Sequence, residues 1–113
     1  MTGDIVPQTR GWKAAIAMAG KAAPPILRVS GEIELGNTNE RPRLNFSEPQ
    51  AGDPQVLNLD VEVVIDGPSE LTMHWASIEF RHTMLEVPPA SVRLLWMGVE
   101  MAFLPVTTEV PAQ

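Results

Sequence analysis

Val56-Leu57-Asn58-Leu59-Asp60-Val61-Glu62-Val63-Val64-Ile65-Asp66 is the stretch that decides the fold. Leu57, Leu59, Val61, Val63 and Ile65 share one parity, and Asn58, Asp60 and Glu62 share the other. Successive side chains of a strand point to opposite faces, so this register turns five apolar groups inward and three polar groups outward. The segment is a half-buried β-strand.

Working outward, Leu27, Val29, Ile33 and Leu35 alternate with Arg28, Ser30, Glu32 and Glu34 in a second strand, with Gly31 on its inward parity. A glycine there calls for a bulge or for a neighbour that approaches closely. Gly36-Asn37-Thr38-Asn39 is turn chemistry, and Arg43 to Ser47 forms a shorter strand with Leu44 and Phe46 on one parity. The run from Glu48 to Gln55 is broken by proline and glycine, and Asp66-Gly67-Pro68-Ser69 is another turn. From Leu71 to Met84 the apolar parity reverses: Leu71, Met73 and Trp75 precede Ile78, Phe80, His82 and Met84, which demands a bulge or turn near Ala76. Ser91 to Val106 reads as two strands joined around Met97-Gly98, with Pro105 at an end or an edge.

Strands at this spacing, with turns between them, predict an all-β protein: an antiparallel, immunoglobulin-like β-sandwich of six or seven strands. Its domain spans 26–113, preceded by an N-terminal arm over 1–25. In that arm Trp12, Ile16 and Ala19 recur at helical spacing within an alanine-rich run, and Pro24-Pro25 ends it. The expectation for 11–23 is a short helix or a docked irregular arm.

The chain has 113 residues, enough for one core, and no cysteine, which excludes disulfides, thiolate metal sites and cysteine nucleophiles. Its net charge of −6 argues against nucleic-acid binding through phosphate neutralisation. The charge is uneven. Residues 1–30 carry four basic residues against Asp4, whereas the rest hold thirteen acids against four arginines, so a basic arm precedes an acidic body. The short run Ala14–Ala19 follows Asp4 and makes no convincing leader, and nothing approaches a membrane span. The default compartment is the cytoplasm.

Catalytic constellations are not recognisable. His74 and His82 are the only histidines, neither sits in a motif, and no serine has a nucleophile-elbow context. A metal-assisted enzyme using His74, His82 and nearby acids would need a further ligand from another strand. Glu32 and Glu34 lie outward on one strand, Asp60 and Glu62 outward on another, so adjacent strands would crowd four acids into a potential calcium site. No cofactor is implied.

Trp75 and Trp96, with Met73, Met84, Met97 and Met101, make the second half rich in soft, bulky side chains. Trp96-Met97 beside Gly98 falls at a hairpin tip, and exposed Trp and Met suit interaction surfaces. Trp96, Met97, Trp75 and Trp12 are therefore the candidate partner-binding residues, for a protein partner or a homo-oligomer. The edge near Leu104-Pro105-Val106 is another candidate. A small-ligand or carbohydrate module stacking on Trp75 or Trp96 is the alternative.

Pro49-Gln50-Ala51-Gly52-Asp53-Pro54 followed by Gln55 to Val61 resembles a group of small uncharacterised bacterial proteins. Leu27 to Glu34 is similar to their first strand, and Trp12 to a tryptophan upstream of it. The resemblance covers residues 12–65 and implies a small all-β domain. It transfers no functional residue.

Overall fold

The computed structural model describes residues 7–17, 24–48, 50, 52–68, 70–84 and 88–109. These form eight strands: β1 (Thr9–Ala17), β2 (Ile26–Asn37), β3 (Glu40–Phe46), β4 (Val56–Ile65), β5 (Leu71–Thr83), β6 (Ser91–Trp96), β7 (Val99–Pro105) and β8 (Thr107–Glu109). They build two packed four-stranded sheets, in the orders β5-β2-β1-β8 and β3-β4-β6-β7. The β-sandwich is thus as the alternation foretells, with seven strands in 26–113 and an eighth, β1, supplied by the expected N-terminal arm. Two pairings, β1 with β8 and β4 with β6, are parallel.

The core is where the inward parities of both sheets meet. Leu27, Val29 and Ile33 of β2, Leu59 of β4, and Val92 and Leu94 of β6 are fully buried. Each such side chain contributes about 1.5–3 kcal/mol relative to exposure. On β4, the outward Asn58 is also buried, because its neighbours on β6 and in the loop before β4 cover it.

That loop is tied down by one side chain. The Gln50 amide donates to the carbonyls of Ser47 and Asn58, both at 2.7 Å, and accepts from the Asn58 N–H at 2.8 Å. A side-chain amide here reproduces the hydrogen bonding of a strand residue, prolonging the β3–β4 ladder past Phe46.

The expected helix over 11–23 is not formed. Thr9–Ala17 is β1, antiparallel to β2, and 18–23 lie outside the described residues. Alanine prefers helices only where packing does not decide otherwise. Here Ala14, Ala15 and Ile16 are buried between neighbouring strands, and sheet hydrogen bonds take the backbone. The register between Arg10 and Lys13 shifts by one residue, so Gly11 and Trp12 both oppose Gly31. Gly11 has φ +68°, the left-handed conformation of a glycine-led bulge. The bulge aims the Trp12 indole at the bare Cα of Gly31, where a Cβ would lie 2.6 Å from Trp12 Cδ2. Both explanations for an inward glycine therefore hold at once.

The irregularity expected near Ala76 lies elsewhere. β5 runs unbroken through Ala76, and the register shift falls where Thr72 and Met73 oppose Gly36. The apolar parity reverses because Met73 and Trp75 stand on the outer face of the sheet.

At one end of the sandwich the β2–β3 and β4–β5 turns are bonded together. Thr38 N–H donates to Glu70 O, Glu70 N–H to Thr38 Oγ1, Asp66 N–H to Asn39 O, and Asn39 Nδ2 to Gly67 O. The β6–β7 hairpin closes at the same end, since β6 runs parallel to β4. The β2–β3 and β4–β5 turns each carry the chain from one sheet to the other; it crosses again at the opposite end, where Val106 N–H donates to Ala90 O between β7 and β8.

Replacing Gly31 by alanine should destabilise the protein by about 1–3 kcal/mol through overpacking against Trp12. Denaturant unfolding followed by tryptophan fluorescence reads both the loss and the displacement of the indole. An unchanged midpoint and spectrum would show that Trp12 moves aside at no cost.

Candidate functional site

The outer face of the β5-β2-β1-β8 sheet is a ladder of charges. Arg10 Nε donates to Glu32 Oε1 at 2.9 Å, and its guanidinium lies 3.9 Å over the Trp75 ring. Arg28 pairs with Glu79 at 3.7 Å. These pairs are solvent-exposed and each contributes about 1 kcal/mol or less. Trp75 is half-buried, with Arg10 occupying one ring face, so a sugar stacking on that face must displace the cation.

On the outer face of the other sheet, Glu62 accepts from Arg43 NH2 at 3.2 Å and from Asn45 Nδ2. Ser47 Oγ donates to Asp60 Oδ1 at 2.7 Å. Arg93 bridges two strands, donating to Glu100 at 2.9 Å and to Asn58 Oδ1 at 3.3 Å, with Phe103 beneath it.

This placement answers the calcium question. Glu32 and Glu34 are on β2, and Asp60 and Glu62 on β4, in different sheets and on opposite outer faces. The four acids never share a surface. Nor do the histidines meet: eight residues of continuous strand separate His74 from His82 by about 27 Å at the usual rise. Among the described residues, no three His, Asp or Glu side chains gather where they could hold a metal ion.

The candidate association residues separate into two kinds. Trp12 and Trp96 are half-buried and pack against the core. The Trp12 Nε1 is buried without a hydrogen-bond partner among the described residues. Met97, by contrast, is 77% exposed at the tip of the β6–β7 hairpin. With φ of +50° at Met97 and +84° at Gly98, the two-residue turn has positive φ at both central positions. Asparagine or glycine normally fills the first of these, because a longer side chain is strained there.

Met97 is not isolated. Among the described residues, eight large apolar side chains are exposed, and six of them lie at the turn end: Val64, Ile65, Leu71, Met73, Met97 and Val99. Leu71 is 88% exposed and Ile65 71% exposed. Inward parity for apolar residues hides most of this group from a reading of the sequence; its traces are the Met97-Gly98 turn and the reversed parity of Leu71, Met73 and Trp75. Leu104 and Pro105 lie on β7, among the described residues an edge strand paired only with β6 on one side, as the sequence leads one to expect. Leu104 pairs with Val92, and the segment after it pairs with β1.

Two open grooves mark the described surface. A groove of about 340 Å³ lies between Trp12–Ala15 of β1 and Leu104, Pro105 and Thr107. Another of about 330 Å³ lies beside the β2–β3 turn, lined by Arg41, Pro42, His74 and Ser77 among others. No described helix is long and apolar enough to cross a membrane. Comparisons with protein-family models, curated proteins and solved structures find no match.

Met97→Asn should stabilise the protein by about 0.5–1 kcal/mol, because asparagine tolerates the left-handed backbone that strains methionine. Urea midpoints compare the two proteins. A loss of stability would mean that the Met97 side chain makes packing contacts that outweigh the backbone strain.

Proposed function

We propose that this is a non-enzymatic β-sandwich that works by association, with another protein or with its own copies, in the cytoplasm. The observation that carries the reading is the collection of exposed apolar side chains at the turn end, with a strained methionine at its hairpin tip. Large exposed apolar patches on soluble proteins mark interaction surfaces more often than chance. Backbone strain persists where the surrounding structure holds it, and such sites cluster where function requires them. A turn at Met97 that could be relieved by a single substitution, yet presents a flexible apolar side chain to solvent, fits a contact residue. The acidic body and its dispersed ion pairs keep the remainder of the surface well hydrated and disfavour a nucleic-acid partner.

The test is the solution mass of the wild type and of a Leu71→Ser, Met73→Ser, Met97→Ser variant across a concentration series. Light scattering should show wild-type mass rising above that of the monomer. The variant should melt within about 1 kcal/mol of wild type, as surface changes do, and bind less of a hydrophobic dye. A wild type that stays monomeric, with dye binding equal to that of the variant, would overturn the reading.

A further inference from the structure

The two sheets have four edge strands, and three of them are blunted. β3 carries Pro42 near its centre, β7 has a register shift and ends at Pro105, and β8 spans only three of the described residues. Proline, bulges and brevity are the usual devices that keep a sheet edge from pairing with another chain. β5 has none of them between His74 and Thr83, where its pairing with β2 is regular. Among the described residues, no backbone hydrogen bond is made from the other side of this stretch.

The side chains on that edge are unsatisfied in a specific way. Arg81 stands directly opposite Arg28 of β2, a like-charge pair that destabilises a sheet. Arg28 turns to Glu79, and Arg81 has no acidic partner among the described residues. On the inner face, the rim of the same edge holds Phe46, Phe80 and His82. The Phe46 ring meets Phe80 edge-on at 5.3 Å and His82 edge-on at 4.8 Å. Phe46 and His82 are nonetheless exposed.

We propose that β5 pairs antiparallel with β5 of a second copy, about a two-fold axis at Phe80. This rests on the reading of the protein as an association module and names the partner and the surface. Glu79-Phe80-Arg81 is self-complementary in this register. Arg81 of each copy faces the partner subunit's Glu79, which supplies the missing counter-charge beside Arg28. Ser77 faces the partner subunit's Thr83, and the two Phe80 side chains meet at the axis, bringing together the two aromatic rims. The edge backbone gains a ladder of hydrogen bonds, and the two four-stranded sheets become one of eight strands. A two-fold contact uses the same patch twice and closes on itself, so it yields a dimer and no fibre.

Charge exchange tests the register. Arg81→Glu and Glu79→Arg should each weaken the dimer about tenfold or more, by placing like charges across the axis. The combined Glu79→Arg, Arg81→Glu variant should regain wild-type mass, since the opposite charges again face each other. Arg81→Glu also removes the repulsion with Arg28, so its melting temperature should not fall, and a lost dimer cannot be blamed on unfolding. The chain has no cysteine, so a Ser77→Cys, Thr83→Cys variant reports directly. Six residues of extended strand keep these two cysteines about 20 Å apart within one copy, far beyond disulfide reach. Mild oxidation should therefore give a covalent dimer on a denaturing gel. A dimer insensitive to both single charge changes and unable to cross-link, but dissolved by the turn-end serine variant, would overturn the β5 interface and leave the association reading standing. A strict monomer would overturn the interface outright.

Discussion

The contact between the Trp12 indole and the bare Cα of Gly31 is what makes one sheet of this sandwich possible. Without it, β1 has a bulge with nothing to fill it, and only the ladder to β2 and the small buried side chains of Ala14, Ala15 and Ile16 remain to hold the strand. With it, β1 lies flat as the third strand, and its far side becomes the template for β8. The chain crossing between the sheets at Val106 depends in turn on β8 having somewhere to go. The Trp12 Nε1 is buried with no hydrogen-bond partner among the described residues, so the contact draws its strength from the apolar body of the ring. A tryptophan buries on the order of 150–250 Å², far more than the small side chains around it.

Alternation made β2 and β4 legible, because each sets an apolar parity against a polar one, whereas the β6–β7 hairpin, apolar on both parities, was legible from the Met97-Gly98 turn between its strands. Alternation failed where the two faces are not so distinguished. β1 has small side chains on both parities, so helical spacing of Trp12, Ile16 and Ala19 competes on equal terms with a strand. The resolving information is Gly31, some twenty positions away. In β5 the failure has a different origin. Leu71, Met73 and Trp75 are apolar but face solvent or an arginine, so an assignment that equates apolar with inward invents a bulge at Ala76. Met97 was legible as an exposed residue because a Met-Gly pair between strands must turn. Trp96 was not, since the residue before the turn can face either way, and here it packs on the core.

The charges behave as a set of local pairs and not as a field. Glu32, Glu62, Glu79 and Glu100 each meet an arginine on a neighbouring strand or across a hairpin. The polar positions of β2 and β4, so similar in sequence, are held apart by the whole thickness of the sandwich. Similarity of pattern between two strands carries no information about whether they are neighbours; only the sheet order does.

The parallel pairings bear on how the molecule assembles. β1–β2, β3–β4 and β6–β7 join segments adjacent in sequence, and such hairpins form in microseconds. Neither sheet can be completed from them. One needs β4 to find β6, and the other needs β2 to find β5 and β1 to find β8, with Ala15 meeting Thr107 across most of the chain. The entropy of closing those loops is lost before any contact repays it, which places folding in the millisecond-to-second range of non-local β proteins. The shortest strand closes the longest loop. Among the described residues, the pairing of Thr107–Glu109 with β1 thus sets the fewest ladder contacts against the largest loop-closure entropy.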